Sequence, residues 1–130
     1  MKAAGTRVLV ADDDPDMRDM IVSTLRADGY EVTEARDGLD LLLSMAAAAM
    51  EGRGYEAVIS DLRMPVVGGL DAAERLRLAT IETPLILMTA FSDALVRERV
   101  HRLRADLLEK PFDLDDLRVA VEHATRHAGR

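Results

Sequence analysis

Residues 8–13 read Val8-Leu9-Val10-Ala11-Asp12-Asp13, a short apolar run that stops on acid. An unbroken apolar run of this length, with no polar alternation, is how a strand covered on both faces reads. Similar runs recur at Ala57-Val58-Ile59, stopping at Ser60-Asp61, and at Leu85 to Met88, stopping at Thr89-Ala90. Ala105 to Glu109 is a fifth, weaker run that stops at Lys110-Pro111. Glu31 to Ala35 carries two acids and suits the edge of a sheet.

Helical patterns lie between the runs. Asp14-Pro15 is an N-cap residue followed by proline at the first helical position. Met17, Met20, Ile21, Thr24 and Leu25 then share one face. Gly29 suits the left-handed position that ends a helix. Asp37-Gly38 opens a second helix, with Leu39, Leu42, Leu43, Ala46 and Met50 as its expected inward stripe, and Gly52-Arg53-Gly54 closes it. Leu70, Ala73 and Leu76 stripe a third helix, and Val96, Val100 and Leu103 a fourth. Asp113 caps a fifth, with Leu117, Ala120, Val121 and Ala124 inside. Strands alternating with helices need crossovers, so the fold class is α/β, a doubly wound, five-stranded parallel sheet with five helices covering both faces. The crossovers should be right-handed. No linker, repeat or low-complexity tract interrupts the pattern, so residues 1–130 are expected to be one domain.

Composition narrows the functional classes. The chain has 130 residues, 48% hydrophobic and 32% charged, a globular balance. Asp plus Glu is 24 against 17 Lys plus Arg, and the net charge of −7 disfavours contact with nucleic acid. The absence of cysteine excludes disulfides, thiolate catalysis and zinc–thiolate sites. No apolar run approaches the ~20 residues of a membrane span. These features suit the cytoplasm. The seven methionines read as core filler, and His101, His123 and His127 as solvated. Arg97, Arg99, Arg102 and Arg104 make the fourth helix basic, either as a solvated face or as a docking face.

Chemistry collects at the strand ends. In an open parallel sheet, ligands bind beyond the carboxyl ends of the strands. There the runs deliver Asp12 and Asp13, Asp61, Thr89 and Lys110. Three neighbouring carboxylates repel one another. A hard divalent cation with oxygen ligands resolves this, and Mg2+ suits because it also accepts phosphate oxygens. One carboxylate could then attack phosphorus, with the lysine neutralising charge on the transferred group.

The stretches VLVADDDPDMR, VISDLRMP, LILMTA and LEKPF, in this order and near this spacing, resemble the receiver domain of bacterial two-component response regulators, the CheY-like family. The resemblance runs from Arg7 to about Thr125. It implies the flavodoxin-like strand order 2-1-3-4-5. It implies Asp61 as phosphoacceptor and Asp12, Asp13 and Asp61, with the backbone carbonyl of Arg63, as Mg2+ ligands. Thr89 and Lys110 would each bind a phosphoryl oxygen, Ala90 would leave room for the group, and Lys110-Pro111 would be cis. A sensor histidine kinase or histidine phosphotransfer protein would be the donor. The chain would catalyse only its own phosphorylation and dephosphorylation, and so would not be an enzyme in the turnover sense. The face built from the fourth helix, fifth strand and fifth helix would serve as output or homodimer surface.

Some positions depart from that pattern. Leu107 stands where the family usually has Tyr or Phe, so an aromatic switch is in doubt, and Phe91 is the nearest substitute. Leu103-Arg104 replaces a Gly-Ala pair and the Thr89–Lys110 interval is about one residue short, so the fourth helix is expected to be displaced or loose. Gly68 stands where an aspartate usually caps the third helix. Arg63 and Phe91 flank the pocket and would limit attack by water. Two rival readings remain: a Mg2+-dependent phosphatase with an aspartate nucleophile, and a pseudo-receiver scaffold.

Overall fold

The structure is a computed structural model and describes residues 5–128. Met1 and the side chain of His127 lie outside the described residues. Five strands alternate with five helices: β1 (Arg7–Ala11), α1 (Pro15–Ala27), β2 (Glu31–Ala35), α2 (Gly38–Met50), β3 (Ala57–Asp61), α3 (Gly69–Leu78), β4 (Leu85–Thr89), α4 (Ala94–Arg102), β5 (Asp106–Glu109) and α5 (Leu114–Ala128). The sheet is parallel throughout, in the order β2-β1-β3-β4-β5. The edge assignment of β2 holds, and β5 forms the other edge.

Alternate residues of each central strand feed two cores. Val8, Val10, Ile59, Ile86 and Met88 pack with Ile21 and Leu25 of α1 and Leu117 and Val121 of α5. Leu9, Ala11, Val58, Leu85 and Leu87 pack with Leu41 and Met45 of α2, Leu70 and Leu76 of α3, and Val100 of α4. Fully burying a Val, Leu or Ile contributes roughly 1.5–3 kcal/mol. Both strand faces therefore anchor a helical layer, which is why the runs are apolar without alternation.

Caps set the helix starts. The side chain of Asp14 accepts from the amides of Asp16 and Met17, that of Asp37 from Asp40, and that of Asp93 from Val96. Asp113 Oδ1 accepts from the Asp116 amide at 2.8 Å, as expected for a cap. Gly68 heads α3 with no side-chain cap bond. Gly29, at φ +98°, ends α1 in the left-handed region that its lack of a Cβ permits.

The second helix departs from expectation. Its inward residues are Gly38, Leu41, Met45 and Ala48, whereas Leu39, Leu43 and Met50 are 48%, 60% and 89% exposed. Only Asp40 and Ser44 are polar along this helix, so periodicity alone offers two apolar stripes. Contact at Gly38 is decisive: a Cβ there would lie 2.0 Å from the Val67 carbonyl oxygen. That contact turns the Gly38–Leu41–Met45 side inward. The methionines divide likewise. Met45 and Met88 are buried and Met17 and Met64 partly so, but Met20 and Met50 are exposed.

The C-terminal end of the fourth helix is tied to α3. Arg77 of α3 donates to the Leu103 carbonyl at 2.7 Å and to those of Ile81 and Thr83 at 2.8 and 2.9 Å. Arg99 pairs with Glu74 at 2.8 Å, and Arg104 with Glu82 at 2.9 Å. Arg104 itself takes φ +56°, turning the chain out of α4 where a glycine would ordinarily serve. Arg102 pairs with Glu98 one turn back. The basic face is thus largely neutralised by its neighbours.

Candidate functional site

Between β1 and β3 the chain's winding reverses, and a crevice opens beyond their carboxyl ends. Asp12 directly follows β1 and is fully buried. Its amide donates to the Ala35 carbonyl at 3.1 Å, which seats it between β1 and β2. Its Oδ1 accepts from the Asp14 amide at 3.0 Å. Its Oδ2 is buried with no hydrogen-bond partner among the described residues. Arg18 grips the Asp12 carbonyl at 2.7 Å and is itself held by Glu34 at 3.2 Å.

Asp61 closes β3, half-buried. Lys110 Nζ reaches its Oδ1 at 3.1 Å and Asp12 Oδ2 at 3.9 Å. Asp12, Asp13 and Asp61 each present a carboxylate oxygen, and these atoms lie within 4.8 Å of one another. Burial pushes the Asp12 carboxyl above its ordinary range, opposed by the Asp14 amide and reinforced by the charge on Asp61. Burial also raises Asp61, opposed by its hydrogen bond from Lys110. An ammonium alone therefore does not make three carboxylates comfortable here. A buried carboxylate oxygen with no donor costs free energy. A small cation with oxygen preference is the group that this donor set fits.

Asp61, Arg63, Thr89, Ala90, Phe91 and Lys110 line one small cavity of about 160 Å³. The Thr89 hydroxyl donates to the Phe91 carbonyl at 2.9 Å and accepts from the Phe91 amide at 3.1 Å. The Lys110 amide donates to the Thr89 carbonyl at 2.7 Å, which links the ends of β4 and β5. The Lys110-Pro111 bond is cis, as expected. Leu107 packs half-buried against the α3–α4 side of the core, and the Phe91 ring is 66% exposed. Asp14 serves as a helix cap.

Three contributors were not legible in the sequence pattern. A Cβ on Gly69 would sit 2.0 Å from the Asp61 carbonyl oxygen, so only glycine lets α3 start against that backbone. Gly38 fixes the same loop from the other side, against Val67. Arg18 locks the Asp12 backbone from one turn into α1. The Gly68-Gly69 pair carried a signal, but it reads equally well as a loop.

The fold and the acid cup define a receiver domain of the two-component response regulators. The chain belongs to that family: the response regulator receiver domain profile matches residues 8–122. It is 34% identical over 119 residues to the transcriptional regulatory protein TcrA of Mycobacterium tuberculosis, spanning 89% of this chain and 44% of that protein. It is 34% identical over 122 residues to the transcriptional regulatory protein FixJ of Bradyrhizobium diazoefficiens, spanning 93% and 57%. The chain thus spans about half the length of these curated relatives. Among solved structures, the chemotaxis protein CheY4 of Vibrio cholerae superposes with a TM-score of 0.80 at 29% identity, over 93% of this chain and 99% of that one. The receiver domain of the Francisella response regulator 1452 gives 0.83 at 28% identity, over 94% and 98%. Among the described residues, no helix is long and apolar enough to cross a membrane.

Proposed function

We propose that this chain, as a single domain over residues 1–130, accepts a phosphoryl group on Asp61 from a phosphohistidine. The donor is a sensor histidine kinase or a histidine phosphotransfer protein in the cytoplasm. Asp12, Asp13 and Asp61, with the Arg63 carbonyl, would hold Mg2+. When bound, that ion neutralises charge on the carboxylates and on the transferring phosphoryl group. An Asp61 carboxylate oxygen forms the new bond to phosphorus, and the phosphorus–nitrogen bond to the donor imidazole breaks. Lys110, already on Asp61, moves its donors onto a phosphoryl oxygen. The Thr89 hydroxyl leaves the Phe91 backbone for another. Arg63 and Phe91 border the cavity and limit the approach of attacking water. The modified site then biases the α4–β5–α5 face, where output partners dock.

The observation that carries this reading is the Lys110–Asp61 pair beside the buried, undonated Asp12 oxygen. The phosphatase reading is weaker: two residues after Asp61 stands Arg63, which has no carboxyl group to act as an acid. Incubation with acetyl phosphate tests the proposal, with intact mass as the readout. One phosphoryl per wild-type chain, dependent on Mg2+ and lost in Asp61→Asn, is expected. Equal labelling of both proteins, or steady turnover of phosphate esters, overturns it.

A further inference from the structure

The loop between β4 and α4, residues 90–93, is held at two points. The first is internal: the Thr89 hydroxyl donates to the Phe91 carbonyl at 2.9 Å and accepts from the Phe91 amide at 3.1 Å. The second reaches across to β5. Ser92 Oγ donates to Glu109 Oε1 at 2.6 Å, a short bond of the charge-assisted kind. Arg97, in the first turn of α4, donates to the same Ser92 hydroxyl at 3.4 Å. Glu109 ends β5, stands in register beside Thr89, and immediately precedes Lys110. The second tie thus fastens the loop to the strand end that carries the lysine of the cavity. Ser92 is half-buried and Glu109 exposed. Among the described residues, neither hydrogen-bonds to Asp12, Asp13 or Asp61.

A threonine hydroxyl has one proton, so Thr89 cannot donate to the Phe91 carbonyl and to a phosphoryl oxygen at once. When it turns to the phosphoryl group, the Phe91 amide and carbonyl both lose their partner. Backbone groups left in that way must find new ones, which moves the segment that bears them. Ser92 is the next residue and moves with it. Resting on the phosphoacceptor reading of Asp61, we propose that the Ser92–Glu109 pair is a latch. Closed, it holds the loop where Thr89 is engaged with Phe91. It opens when Thr89 turns to the phosphoryl group, and its opening releases the Ser92 hydroxyl from Glu109 and Arg97, which carries the change into α4. The strength of the latch sets the fraction of molecules whose Thr89 is free to bind, and apparent affinity for the phosphoryl group scales with that fraction. Mg2+ binding in the acid cup does not depend on it.

Calorimetric titration of the Mg2+-saturated protein with beryllofluoride, a mimic of the phosphoryl group, tests the latch. Ser92→Ala and Glu109→Ala should each tighten binding about threefold, the effect of removing one exposed hydrogen bond from the competing state. The double variant should gain no more than either single one, because both remove the same bond. Ser92→Thr keeps a hydroxyl and should bind as the wild type does. Mg2+ affinity, titrated without beryllofluoride, should be the same in all of these proteins. Equal or weaker beryllofluoride binding in the two alanine variants overturns the latch and leaves the phosphoacceptor reading standing. Tighter binding accompanied by an equal gain in Mg2+ affinity places the effect in the acid cup and overturns the latch as well. No beryllofluoride binding in any of the proteins, wild type included, overturns the phosphoacceptor reading and the latch with it.

Discussion

The acid cup and the α3–α4 junction both concentrate charge, yet they treat it in opposite ways. At the junction, charged groups find partners. Arg77 donates to three carbonyls, Arg99 meets Glu74, and Arg104 meets Glu82. In the cup, three carboxylates converge, Lys110 pairs with Asp61 and Asp12, and among the described residues a buried oxygen of Asp12 has no hydrogen-bond donor. Satisfied polar groups hold a structure together. An unsatisfied one is kept against its cost, and under the proposed function that cost marks the place of the cation. The difference teaches which charges serve the fold and which serve the chemistry.

The contrast can be broken at either end. The largest effect is expected from Arg77→Met, which leaves three carbonyls without their charged donor. Denaturant unfolding should show a loss of about 3 kcal/mol, because bonds to charged groups count for more than neutral ones. Labelling of Asp61 by acetyl phosphate should persist in the folded fraction. A loss under about 1 kcal/mol would mean that the junction does not hold α4.

Asp12→Asn should act with the opposite sign. It removes a buried charge, and the Mg2+-free protein should gain about 1 kcal/mol, raising Tm by a few degrees. Added Mg2+ should stabilise the wild type and not the variant. The pH dependence follows from the raised Asp12 carboxyl. A folded-state pKa above the unfolded value means that the folded form binds the proton more tightly. The group's contribution to stability is complete below the ordinary 3.8 and is lost as pH rises through the raised value. The advantage of the variant should therefore be full above the raised value and vanish below about 3.8. An advantage that grows as pH falls would contradict the assignment of burial as the cause.

Gly68→Asp gives the smallest expected change. It supplies the missing cap of α3, ordinarily a few tenths of a kcal/mol over glycine. A Cβ at Gly68 would meet the Leu62 carbonyl oxygen at 3.2 Å, which takes back part of the gain. A Tm rise of a degree or two is expected, with Asp61 labelling unchanged.

Much of this was legible before the fold was known. The runs at Val8–Ala11, Ala57–Ile59 and Leu85–Met88 read as strands covered twice, and each is followed within two residues by a polar residue of the cup. Asp14, Asp37 and Asp113 carry their capping role in the residue type itself, whereas the Asp93 cap of α4 emerged only with the fold. The second helix was not legible. Its residues are apolar on nearly every side, so periodicity cannot say which side is inside. The tie of α4 to α3 was not legible either, because Arg77 acts through backbone carbonyls that no side-chain pattern announces.

The sequence by itself determined the alternation of strand and helix, the parallel sheet and the polar residue at each strand end. Those features are local: apolar runs, caps and periodicity act within a few residues. Only the tertiary structure decided which face of α2 meets the core, that Gly69 must lie against the Asp61 backbone, and that Asp12 keeps an oxygen without a donor. Each of these depends on atoms far apart in the chain meeting within a few ångströms, and contact at that range is set by packing.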